Sequence, residues 1–166
     1  MEKNMSEDIF AGIRGFAGRR WRKIIIHHSL TKDGNVPDWE SIRKWQTGVI
    51  GGDENPYTEK PMIDIGYNFG LDYYNDRYNL LAGRSLSMDG AHTLGENVTA
   101  IGICVVGNYD LIPPTNDQLF ILSSLIRELQ RKFTIPRQNV LPHWAFADKS
   151  CPGKLFNLVD LRNRCL

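Results

Sequence analysis

The apolar positions of this chain fall into two kinds of run. Ile24-Ile25-Ile26 and Ala100–Val106 (AIGICVV) are short, continuous and rich in β-branched residues, as expected of strands covered on both faces. The first lies in a predicted strand, Lys23–His28, that ends on two histidines, and the second closes at Gly107-Asn108. Between them Ile63, Ile65, Tyr67, Phe69, Leu71 and Tyr73 alternate strictly with Asp64, Gly66, Asn68, Gly70 and Asp72, which predicts one strand running from residue 63. Asn75-Asp76 supplies a turn, and Tyr78–Ala82 returns as its hairpin partner.

Other apolar residues recur at helical spacing. Ile9, Phe10, Ile13 and Phe16 predict a short helix over 7–17. Pro37 and Asp38 open a second helix that carries Trp39, Ile42 and Trp45 on one face and ends near Gly48. Thr115 and Gln118 have the spacing of a capping box. Behind them Leu119, Leu122, Leu125, Ile126, Leu129 and Phe133 form the stripe of a long helix. Residues 49–61, rich in Gly, Pro and charge, read as a surface loop; PHWAFADKSCPGK reads as another, before a short helix from about Phe156. This order predicts an α/β (mixed α+β) fold, a central mixed β-sheet flanked by helices, with residues 1–20 as an N-terminal extension and 21–166 as the domain.

Charge and cysteines narrow the class. A formal net charge of +1 gives no broad attraction to nucleic acid or anionic lipid, so affinity has to come from a shaped site. No stretch approaches ~18 uninterrupted apolar residues, and the N-terminal segment mixes charges throughout. No membrane span is therefore expected, and the chain is expected to be cytoplasmic as synthesised. Cys104, Cys151 and Cys165 cannot all pair with one another, and free thiols suit a reducing compartment. Cys104 is expected in the core and Cys165 in a frayed end.

His27 and His28 point to opposite faces of a strand, so at most one serves a given site. His143 stands six residues before Lys149 and eight before Cys151. Two imidazoles and a thiolate make three ligands of a zinc ion with its fourth position open, which is the catalytic arrangement. Spacing alone leaves that site and a set of ordinary buried side chains both open.

The segments IIIHHS, DIGYNFGL, AGRS, GAHTLGEN, AIGICVVGNY and PHWAFADKSCPG occur in an order and spacing similar to those of the zinc-dependent N-acetylmuramoyl-L-alanine amidases. The likeness runs over about residues 21–162 and is greatest to the branch of short phage endolysins and animal peptidoglycan recognition proteins. It implies one zinc per chain, held by His27, His143 and Cys151, with Tyr67 and Lys149 needed for hydrolysis. It also implies a substrate groove near Arg84, His92 and Asn97, to which Trp144, directly after a ligand, is a further candidate. The implied reaction cleaves the amide between N-acetylmuramic acid and L-alanine, with peptidoglycan or muropeptide as partner. Neither nucleic acid nor membrane is expected as a partner, and the chain is expected to be a monomer that acts on the wall after release. Asn68 departs from the Tyr-His-Phe common in that family, and the change is expected to touch packing or groove lining. His28 is expected to hold the local fold. A module that binds muropeptides without cutting them, or a zinc-stabilised interaction protein, would be the alternatives.

Overall fold

The computed structural model describes residues 5–30 and 38–165. Its elements in chain order are helix α1 (Met5–Gly15), strand β1 (Lys23–His28), α2 (Trp39–Gln46), β2 (Phe69–Tyr74), β3 (Arg77–Ala82), β4 (Ala100–Val105), α3 (Asn116–Phe133), β5 (Val140–Pro142) and α4 (Leu158–Arg164). The strands form one five-stranded sheet in the order β3-β2-β4-β1-β5. β1 runs parallel to β4 and β5, β2 runs parallel to β4, and only the β2–β3 pair is antiparallel. The two apolar runs thus become the adjacent inner strands β1 and β4, which need cover on both sides. The predicted mixed sheet flanked by helices is the observed architecture.

One face of the sheet, with Ile24, Ile26, Leu71, Ile101 and Ile103, packs against Leu122, Leu125 and Ile126 of α3 and Ile13 of α1. Burying each such side chain contributes about 1.5–3 kcal/mol. Helix α3 starts with the predicted capping box: Gln118 N donates to Thr115 Oγ1 (3.2 Å), and Thr115 N donates to Gln118 Oε1 (2.8 Å). The opposite face carries a smaller apolar cluster of Trp39, Ile65, Cys104 and Val106. Asn75 and Asp76 take φ of 53° and 58°, the left-handed pair that a two-residue hairpin turn requires.

Three local expectations change. The alternation from Ile63 does not make a strand until Phe69, because residues 64–68 satisfy their main chain elsewhere. Gly66 N donates to Gln46 Oε1, and the carbonyls of Asp64 and Ile65 accept from Arg84. Ile65 and Tyr67 consequently pack with the smaller cluster while Phe69 and Leu71 join the larger one, so the continuous phase of the sequence changes face between 67 and 69. Strand β5 was hidden inside a proline-containing stretch of three residues. Cys165 is buried, with its Sγ donating to Leu161 O, and does not fray. The predicted helix start at Pro37 lies outside the described residues, but Asp38 caps α2 through Ser41 N (2.7 Å). Among the described residues no helix is long and apolar enough to cross a membrane.

Candidate metal centre

At the C-terminal end of β1 the sheet delivers His27 to the face opposite α3, in register with Cys104 of β4. β5 lies alongside and ends at Pro142, so His143 emerges next to it at the start of a single 3₁₀ turn, His143–Ala145. The chain then folds back so that Trp144 N donates to Cys151 O (2.8 Å). His27, His143 and Cys151 are all buried, and their candidate ligand atoms lie within 4.8 Å of one another. Cys151 Sγ is 3.8 Å from His27 Nδ1, and the two imidazole centroids are 4.4 Å apart.

Two clamps hold the cysteine loop. Asp110 accepts from Ser150 Oγ (2.6 Å) and from Lys154 N (2.8 Å), so its carboxylate grips the chain on both sides of Cys151. Gly153, at φ +121°, lies so close to Tyr109 that a Cβ there would come within 2.4 Å of the tyrosine carbonyl carbon. Only glycine fits both constraints. His28 faces away from His27, as strand geometry demands. Its Nδ1 accepts from Tyr109 N (3.2 Å), while its own amide donates to Cys151 Sγ (3.4 Å).

Burial and the neighbouring His92 and His143 hold the His27 imidazole well below the usual 6.5; burial, then Lys149, lowers His143 too. Both rings are therefore neutral near pH 7, with a lone pair to offer. Burial pushes the Cys151 thiol up to about 11, against the pull of the His28 amide and Lys149. A cation entering here has to displace that proton. Tyr67 lies beside the site, its ring tilted 55° to the His27 imidazole with centroids 5.1 Å apart. Its ring is half-buried, but its phenol is desolvated enough, with the Cys104 and Cys151 thiols nearby, to sit well above the usual 10. Tyr67 also lines a cleft of about 350 Å³ with Ser41, Ile42, Trp45 and Tyr57, whereas exposed Trp144 and Lys149 line a second, more open one.

Residues 17–154 match the family described as N-acetylmuramoyl-L-alanine amidase. The chain belongs to that family. An endolysin of Klebsiella phage KP32 is 30% identical over 136 residues, covering 79% of this chain and 80% of the endolysin. Among solved structures, the N-acetylmuramoyl-L-alanine amidase LysC from Clostridium intestinale shares the fold with a TM-score of 0.68 at 22% identity, over 87% of this chain and 85% of LysC. Drosophila PGRP-LB shares it with a TM-score of 0.61 at 24% identity, over 84% and 81%. The chain is a peptidoglycan amidase, cleaving between N-acetylmuramic acid and L-alanine.

In this amidase Arg84, Asn97 and His92 are held by specific hydrogen bonds. Arg84 is buried and donates through Nε to Ile65 O (3.1 Å), through Nη1 to Asp89 O (3.2 Å) and through Nη2 to Asp64 O (2.8 Å). It ties the segment just before Tyr67 to the loop at Asp89. Asn97 Oδ1 accepts from the amides of His92 and Thr93, both at 2.9 Å, and so shapes the loop that carries His92. His92 meets His27 directly, Nδ1 to Nε2 at 3.0 Å, and burial takes its ring down to about 4. Asn68 is buried, donating to Arg84 O (3.1 Å) and accepting from Gly102 N (3.0 Å), which is the first of the two roles expected of it, packing or groove lining. Asp110, Ser150 and Thr93 went unread in the sequence, because their partners lie in distant segments and no local pattern marks them.

Proposed function

We propose that this amidase is a zinc enzyme of the endolysin kind, in which His27, His143 and Cys151 hold the metal and Tyr67 and Lys149 assist hydrolysis. The donor set carries the reading. Two imidazoles and one thiol within 4.8 Å suit zinc, and among the described residues these three donors match the catalytic pattern, with one position left for water or substrate. Bound there, zinc supplies a Lewis acid and brings the pKa of water from ~15.7 toward ~7.

The chain's own groups supply the rest. Hydrolysis adds a water oxygen to the carbonyl carbon, places negative charge on the carbonyl oxygen and expels the alanine amine, which must leave with a proton. Tyr67 keeps its own proton to high pH, so it serves as a hydrogen-bond donor to the developing oxyanion and not as a base. Lys149 places a cation close enough to hold down the pKa of His27, His143 and the Cys151 thiol, and that same field favours negative charge in the transition state. The His28 amide supports Cys151 as a thiolate. The likeness to a phage endolysin supports a role in lysis of the cell wall. Holding muropeptide without cutting is the lesser reading, because Tyr67, Lys149 and all three candidate ligands are present together.

Purified sacculi provide the test. The zinc-loaded protein should release stem peptides with a new L-alanine amino terminus, chelation should stop the release, and added zinc should restore it. Full activity in protein that metal analysis finds free of zinc would overturn the metal assignment. Tight wall binding with no release would favour the binding module.

A further inference from the structure

His92 lies beside the candidate ligand His27, and its ring hydrogen bonds point into the fold. Its Nε2 lies 3.2 Å from Ala100 O, and its Nδ1 lies 3.0 Å from His27 Nε2. A backbone carbonyl has no proton to give, so His92 Nε2 must be the donor in the first contact. In a neutral imidazole the other nitrogen is then an acceptor, and the proton between the two rings belongs to His27 Nε2. His27 Nδ1, the atom facing Cys151 Sγ at 3.8 Å, is left with its lone pair free.

We propose that His92 is a positioning residue: by relaying the polarity of the Ala100 carbonyl, it sets His27 in the one tautomer that can bind metal through Nδ1. The proposal rests on the metal site described above and adds to it the origin of that tautomer. Thr93 agrees with this assignment. Its hydroxyl, 3.0 Å from His92 Nδ1 and 3.3 Å from His27 Nε2, can donate to the first and accept from the second.

Close packing accompanies the hydrogen bonds. The His92 ring lies in a slot between two glycines. A Cβ on Gly102 would come within 2.4 Å of its Cδ2, and one on Gly90 within 2.6 Å. Asn97 anchors the His92 main chain as well. A side chain at either glycine would collide with the ring, so both positions have to be glycine for His92 to sit there. A partner of this kind behind a ligating histidine fixes ring orientation and raises ligand basicity, and its loss costs ~10–100-fold in metal affinity.

Two measurements decide it. In the metal-free wild type with isotope-labelled histidine, ring proton–nitrogen correlation should find His27 protonated at Nε2. Protonation at Nδ1 overturns the proposal. Zinc dissociation constants from chelator competition should rise by ~10–100-fold in His92→Leu, which keeps bulk but offers no acceptor. They should return to within ~5-fold of wild type in His92→Asn, whose amide oxygen stands near the Nδ1 position. An unchanged constant in His92→Leu, or an equal loss in both variants, overturns the proposal, since packing alone would then explain the ring. If His92→Leu does not fold, the wild-type tautomer and the asparagine variant decide. A wild type that binds no zinc overturns the metal assignment instead, and the tautomer then decides this inference separately.

Discussion

The two faces of the sheet are built on opposite principles. Toward α3, isoleucine, leucine and valine from β1, β2 and β4 interlock with the helix stripe. Toward the candidate centre the apolar cluster shrinks to Trp39, Ile65, Cys104 and Val106, and the buried volume is shared with His27, Asn68, Arg84, Thr93 and His143. Buried polar groups destabilise unless bonded; here His27 is bonded to His92 and Thr93, and Asn68 and Arg84 to main chain, while Trp39 Nε1 has no partner. One face supplies cohesion that tolerates approximate shape; the other depends on which atom meets which. The difference teaches that stability and chemistry should respond to separate substitutions, since distant sites with no shared partners add independently.

The largest effect should come from the ligands. His143→Ala or Cys151→Ala should reduce peptide release to background and remove bound zinc, while the metal-free protein keeps its helix content by circular dichroism. Loss of the fold itself would break the comparison, because the site face would then be carrying the stability. Next, Tyr67→Phe should lower turnover by ~10²–10³-fold with zinc content unchanged, as expected for one lost oxyanion donor. Leu125→Ala, on the other face, should do the reverse, costing about 2–5 kcal/mol in urea denaturation with turnover per folded molecule unchanged.

The smallest effect, spread over more than two pH units, is on acid stability. In the unfolded chain the imidazoles take up protons near 6.5, whereas in the fold His92 does so only near 4, and His27 and His143 also do so below 6.5. The unfolded state therefore binds more protons once pH falls below 6.5, and the metal-free fold should lose stability progressively from there. Thermal midpoints of chelated protein between about pH 7 and 5 should show this slope. Leu125→Ala should lower the whole curve without changing the slope, and His92→Asn should flatten it. A slope that survives in His92→Asn unchanged would place the acid response elsewhere.

How far the sequence could be read follows the same division. β1, β4 and the capping box of α3 were legible because each is written in neighbouring residues: a β-branched run, or a threonine three positions before a glutamine. The three candidate ligands could be named from resemblance, and folding brings them together. What stayed hidden was long-range. Alternation could not reveal that the chain changes face between Tyr67 and Phe69, since the cause is a guanidinium arriving from Arg84. That Arg84 and Asn97 bond main chain could not be read either, because no pattern tells a surface-seeking arginine from one that staples loops. The His92–His27 contact spans 65 positions and is invisible until β1 and β4 pair.

The separation of His27 from Cys151 by 124 positions has a kinetic meaning. No contiguous fragment shorter than residues 27–151 contains the full donor set, and the strands that align it are parallel, with pairings that close only across long loops. Such closures come late and slowly in folding, because chain entropy must be lost before the contacts form. Metal capture should therefore mark the completion of folding and not its nucleus. On the proposed ligand set, a nascent or clipped chain should be unable to cut the wall until the last strand has docked.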